Sequence, residues 1–259
     1  MAEFQHMDDT KVTPPITTVK GSTIHLKLIP GAKEALPTIS VAPATVAKVI
    51  NIKERKQANF TTFEIEAVTV GKASLTATDA KKANVATPID VIVEDKVTLP
   101  DSKTNEGLLA RLFIAEVPSP EESGYTLEDA KTSMFWMRVV VENRLKTPSS
   151  TWGSAGVTTM QDVIRAQNQF EGFSGYPTLI NRIQSMIDDT MSIANNGDDT
   201  RRSKYKAFVD AALEIANQKA VTDPSTKGLF WWRTAGSGSP TSDAVLYMTK
   251  LKNTFYTRK

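Results

Sequence analysis

Pro100-Asp101-Ser102-Lys103-Thr104-Asn105-Glu106-Gly107-Leu108-Leu109-Ala110-Arg111-Leu112-Phe113-Ile114-Ala115-Glu116 divides the sequence. The stretch up to Asn105 is polar and turn-rich, the composition of a linker. After it, Leu108, Leu109, Leu112 and Phe113 fall on one face at helical spacing, which predicts a helix over 106–116. Pro118 and Pro120 then stop it. Before the linker the period is two. Thr23-Ile24-His25-Leu26-Lys27-Leu28, Phe63-Glu64-Ile65-Glu66-Ala67-Val68, Ser74-Leu75-Thr76-Ala77-Thr78 and Ile89-Asp90-Val91-Ile92-Val93-Glu94 alternate apolar and polar side chains, as half-buried strands do. Lys20-Gly21, Pro30-Gly31, Pro43 and Gly71-Lys72 supply the turns between them. Short strands at this spacing predict a β-sandwich.

Beyond the linker, Thr126 is placed to cap a second helix running to about Leu145, and Thr159 with Asp162 to open a third. Pro177 suits the first turn of a fourth, ended by Asn195-Asn196-Gly197. A fifth covers about 203–218, its Arg201, Arg202, Lys204 and Lys206 reading as a solvated face. The tail from Leu229 is aromatic and irregular. The organisation expected is a disordered or vector-derived start (1–11), a β-sandwich (12–96), a linker (97–105) and a helical domain (106–259). The fold class is multidomain α+β.

Composition narrows the chemistry. Of 259 residues, 31 are Lys or Arg and 29 are Asp or Glu, a net charge of +2. That balance gives no general case for nucleic-acid binding. A 40% hydrophobic content is enough for packed cores. Cysteine is absent, which removes disulfides, thiolate metal sites and cysteine nucleophiles. His6 and His25 are the only histidines. A histidine-based triad or multi-histidine metal centre is therefore not expected, nor is a cofactor. Acid–base work falls to carboxylates. No run of about 18 apolar residues spans a membrane, and the acidic start does not read as a secretion signal.

Glu116 is the carboxylate the pattern singles out. Leu108, Leu112 and Glu116 lie at i, i+4 and i+8, so it shares a face with apolar residues at a helix C-terminus. Desolvation and the helix dipole both disfavour the anion there. A raised pKa is what a general acid near neutral pH needs. An amphipathic helix whose last Glu simply reaches water is the plain alternative.

Two resemblances extend this reading. Ile16-Thr17-Thr18-Val19-Lys20-Gly21-Ser22-Thr23, Val46-Ala47-Lys48-Val49 and Val70-Gly71-Lys72-Ala73-Ser74-Leu75-Thr76-Ala77 resemble bacterial immunoglobulin-like domains, which implies a spacer or binding module. Leu108 through Glu116, Val139 through Pro148, Asp162 through Phe170 and Asp223 through Trp231 resemble, in order, blocks of SleB-like cell-wall hydrolases. That resemblance implies an all-α lysozyme-like domain cleaving peptidoglycan glycan strands, with Glu116 as general acid/base. The family often continues Ala-Arg-Gly-Glu at this point. This chain has Val117-Pro118-Ser119-Pro120-Glu121-Glu122 instead, which leaves Glu121, Glu122 and Glu171 as candidates for a second carboxylate. Asn143, Gln169, Phe170, Tyr176, Trp231 and Trp232 are the expected sugar contacts, the aromatics through stacking on pyranose faces. The expected products are those of a lytic transglycosylase or a muramidase. The expected place of action is the bacterial cell wall, reached without a signal peptide through contact-dependent or phage-like delivery, with an immunity protein as a possible partner. A non-catalytic wall-binding or adhesive protein on a degenerate hydrolase fold is the alternative.

Overall fold

The structure is a computed structural model, described over residues 1–31, 37–152, 154, 156–167 and 169–259. Its chain divides into two compact units, Met1–Lys96 with Asn195–Ser203, and Val97–Ala194 with Lys204–Lys259.

Alternation builds the first unit. Its strands are β1 (Glu3–His6), β2 (Ile16–Val19), β3 (Thr23–Ile29), β4 (Thr38–Ala42), β5 (Ala47–Arg55), β6 (Phe60–Ala67), β7 (Gly71–Thr78) and β8 (Ile89–Glu94). They form two four-stranded sheets, ordered β1-β3-β6-β5 and β2-β8-β7-β4. Every second residue of β6, β7 and β8 is buried: Phe63 and Ile65, then Leu75 and Ala77, then Val91 and Val93. These side chains share one core with Leu26 and Leu28 of β3, so the sheets close on each other as a sandwich. Pairing is antiparallel except for β2 beside β8.

Two expectations are corrected here. Residues 1–11 are not a loose start: β1 pairs with β3 from Glu3↔Ile29 to His6↔Leu26, and Phe4 is buried edge-on against Phe63. Arg202 is not on a solvated face. It is buried, and within this unit it donates to the Thr17 carbonyl at 3.1 Å and to Glu94 at 2.8 Å.

The second unit holds α1 (Asn105–Glu116), α2 (Leu127–Lys146), α3 (Met160–Arg165), α4 (Asn181–Ala194) and most of α5 (Arg202–Ala216). Thr104, Thr126 and Thr159 cap the first three, each hydroxyl accepting an N–H of the first turn. Asp162 returns the bond to complete a capping box. Gly107 lets α1 start against the preceding loop, because a Cβ there would lie 2.0 Å from the Asp101 carbonyl oxygen.

The aromatic tail is not irregular. It forms β9 (Leu229–Thr234), β10 (Ala244–Lys250) and β11 (Asn253–Arg258), an antiparallel sheet ordered β10-β11-β9. Trp136 of α2 packs edge-on to Phe255 at 5.1 Å and to Tyr247 at 5.3 Å, fixing helix to sheet. The expected all-α lysozyme-like domain is thereby corrected to a mixed α+β unit. The chain as a whole is a multidomain α+β protein. No helix among the described residues is long and apolar enough to cross a membrane.

Arg138, buried on α2, closes the far end of α5. Its guanidinium donates to the carbonyls of Ile215, Ala216 and Gln218 and pairs with Glu142 at 3.1 Å. These include carbonyls that a helix end leaves without partners. Arg138→Met is expected to lower unfolding free energy by about 3 kcal/mol, since uncapped carbonyls and a half-buried Glu142 remain. Urea denaturation followed by Trp fluorescence checks this.

Candidate active site

α1 carries Glu116 to its place. Leu108 and Leu112 are buried one turn apart, and the next turn sets Glu116 above the same core as the last helical residue. Its carboxylate is partly buried and lines a cavity of about 470 Å³ with Ala115, Gln169, Phe170, Glu171, Arg182, Ile183, Trp232, Arg233, Thr234, Ser237 and Asn253. The Trp232 indole N–H donates to Glu116 Oε2 at 3.3 Å. The Asn253 amide donates to the Glu116 carbonyl at 3.1 Å, satisfying a backbone oxygen at the helix end.

Burial pushes the Glu116 carboxyl up from its ordinary value of 4.5; the Glu171 charge adds to this, while the Trp232 hydrogen bond and the Arg182 cation oppose it. The helix C-terminus acts in the same direction as burial. The result is an acid that holds its proton to higher pH than an ordinary glutamic acid does.

The other walls come from two segments. On β9, Trp232 lies 4.9 Å from Phe170, ring centroid to centroid, with the ring planes 32° apart, so Phe170 packs against one face of the indole. Gly172 at φ +81° turns the 169–173 segment, and a Cβ there would lie 2.7 Å from Ile183. Behind both segments sits Arg144, buried near the end of α2. It donates to the Phe230 carbonyl and to Gln169 Oε1, each at 2.9 Å. Its guanidinium carbon stands over the Phe170, Trp152 and Phe230 rings at 5.4, 5.7 and 5.9 Å. Burial lowers its pKa to about 10, which still leaves it charged.

Glu116, Gln169, Phe170, Glu171 and Trp232 are thus brought together. The remaining expected site residues are not. Glu121 and Glu122 sit on the exposed loop after α1, paired with Lys204 at 3.7 Å and Lys252 at 2.6 Å. Neither glutamate lines the cavity. Tyr176 cannot stack on a sugar, because it is 1% exposed and packed with Phe173 inside the core. Trp231 points to the other face of β9 from Trp232 and meets Phe230 edge-on. Asn143 is a framework residue: its amide donates to Asp223 and to the Leu229 carbonyl. Burial alone would raise the Asp223 pKa, but donors from Ser225, Leu229 and Asn143 outweigh it and hold the carboxylate lowered. That carboxylate shapes the turn into β9 through Ser225 and Leu229. Arg182, Arg233 and Asn253 are the lining residues that sequence reasoning missed. Among the described residues no group of three or more His, Asp or Glu side chains is placed to hold a metal.

No protein-family model matches the chain, and no curated protein matches it. Solved structures similar to parts of it include domains 5–6 of the S-layer protein SbsC (12% identity, TM-score 0.28, covering 34% of this chain and 43% of that one). They also include titin Ig tandem domains (16%, 0.23, 36% and 50%) and a polysaccharide lyase (11%, 0.26, 82% and 34%). The chain spans less than half of the SbsC chain it matches. Similarity of this order assigns neither fold nor activity. The SleB-like resemblance drawn from the sequence is corrected: the second unit ends in a three-stranded sheet after residue 228 and is not the all-α lysozyme-like domain that this reading requires.

Because its folded pKa is raised, Glu116 costs no stability below pH 4.5 and progressively more as pH rises through that folded value. Glu116→Gln keeps an acceptor for Trp232 and cannot ionise. It should melt higher than the native chain at pH 8 and at about the same temperature at pH 3.5. Thermal melts at the two pH values check this.

Proposed function

We propose that the second unit cleaves glycosidic bonds in a glycan strand, with peptidoglycan the first substrate to test, and that Glu116 is its general acid. The observation that carries this is a partly buried carboxyl of raised pKa in the wall of a solvent-reached cavity, beside an aromatic face. Sugar recognition uses such pairings, since pyranose rings present apolar C–H faces and polar edges. Trp232 offers the face, and Gln169 and Asn253 line the same cavity with amides.

Glycosidic cleavage begins when the acid protonates the departing oxygen. The C–O bond breaks toward that oxygen, and an oxocarbenium-like centre develops on the ring. Glu116, now ionised, is beside it and accepts the proton of whatever attacks. Water as the nucleophile gives hydrolysis. A hydroxyl of the same sugar gives an anhydro end. Glu171 is the second carboxylate at the cavity, but it is paired with Arg182 at 2.9 Å, so Glu116 carries the acid–base work alone. If peptidoglycan is the substrate, the protein acts at the bacterial cell wall.

Glu116→Gln is expected to reduce release of soluble fragments from purified peptidoglycan by about 10²–10⁴-fold with the far-UV circular dichroism unchanged. Turnover at the native rate by this variant would refute the assignment. Binding to insoluble wall without fragment release by the native chain would mark a binding protein instead. Mass spectrometry of products separates reducing ends from anhydro ends.

The Trp232 hydrogen bond stabilises the ionised form of Glu116 and so opposes burial. Trp232→Phe removes that donor and should move the alkaline limb of the pH–rate profile to higher pH.

A further inference from the structure

The charges around the cavity are not used up by the acid chemistry. Four ionisable side chains line it: Glu116, Glu171, Arg182 and Arg233. Glu171 and Arg182 satisfy each other at 2.9 Å. Glu116 is the proton donor and is neutral when it is ready to act. That leaves one positive charge. Arg233 is exposed near the end of β9, and the only hydrogen bonds of its side chain among the described residues are two long ones, 3.4 Å each, to the carbonyls of Ser237 and Ser239. Among the described residues no carboxylate lies within 4 Å of it, whereas Lys250 and Lys252, further along the same sheet, each have one.

A guanidinium in this position has donors to spare. The two carbonyl contacts hold one nitrogen, Nη1, toward the Ser237–Ser239 turn. Nε and Nη2 remain available, and together they form the fork that matches the two oxygens of a carboxylate. A neutral glycan would leave this cation unmatched at the mouth of the cavity.

We propose that Arg233 forms an anion subsite of this cavity, which selects glycans bearing a carboxylate substituent over neutral ones. The inference rests on the glycan reading of the site, but its test reads binding rather than cleavage.

The test uses the full-length chain with Glu116→Gln, to prevent turnover, and a matched pair of probes. One probe is a peptide-free oligomer of alternating N-acetylglucosamine and N-acetylmuramic acid, with free lactyl carboxylates. The other is the same oligomer with those carboxylates converted to primary amides. Isothermal titration should show the acidic oligomer binding about 10- to 100-fold more tightly. Adding Arg233→Gln should remove that preference while leaving affinity for the amidated oligomer unchanged. Arg233→Lys, which keeps the charge and loses the fork, should retain part of the preference. Equal affinity of the Glu116→Gln chain for the two oligomers, no binding of either, or a preference that survives Arg233→Gln each overturns the subsite. Failure of the native chain to cleave, with the preference intact, overturns the glycosidase reading and leaves the subsite standing.

Discussion

The site depends on where one buried cation is put. Arg144 ends α2 with its guanidinium inside the core, and among the described residues no carboxylate lies within 4 Å of it. A charge so placed is costly unless its donors are met. Two of them are met by the Phe230 carbonyl on β9 and the side-chain oxygen of Gln169, and three aromatic faces surround the cation. These partners belong to the segments that form the cavity wall next to Glu116. Satisfying Arg144 therefore fixes the distance between the strand carrying Trp232 and the turn carrying Phe170. The 4.9 Å contact between those two rings follows from it.

Asn143, one residue earlier, supports the same strand from its beginning. Through Asp223 it sets the turn that feeds β9, and it also holds the Leu229 carbonyl directly. Two adjacent polar residues at the end of one helix thus grip β9 at Leu229 and Phe230. Trp232, two residues on, is then aimed at Glu116 with its ring packed against Phe170 and Phe255. Asn253 completes the arrangement from β11 by binding the backbone oxygen of Glu116 itself. The carboxyl is fixed by its helix, by its own main chain and by one indole donor.

Legibility in the sequence followed periodicity. Strands β6, β7 and β8 bury alternate residues, and the alternation is visible in the letters. The helices announced themselves through caps at Thr126 and Thr159. The sheet at the C-terminus shows no such pattern. Residues 253–257 of β11 are all buried, and β10 is mostly exposed or half-buried, so neither alternates. β1 was missed because a strand of four residues is too short to display a period. Glu116 was readable because it terminates an apolar stripe on its own helix. Arg182, Arg233 and Asn253 were not, because their relation to Glu116 exists only through the sheet and the turn at Gly172. Tyr176 and Trp231 show the limit of the opposite inference: an aromatic near the right segment is more often core than contact, and strand geometry alone turns Trp231 away from its neighbour.

The balance of forces on Glu116 has a direction when a ligand enters. In the free cavity, burial and the Glu171 charge favour the proton, while Trp232 and Arg182 favour its loss. Glu171 and Arg182 are bonded to each other and largely exposed, so water screens both, and their effects on Glu116 oppose one another. The two largest influences are burial and one long hydrogen bond, which also oppose one another. On the glycosidase proposal, a sugar laid on Trp232 would displace water from the Glu116 carboxyl and deepen its burial. Occupancy would therefore strengthen the acid's hold on its proton before the leaving oxygen is in reach. Once the bond broke, the positive charge forming on the sugar would reverse the preference and stabilise the carboxylate. One side chain can then serve as donor in the first half of the reaction and as acceptor in the second, with no change in its position.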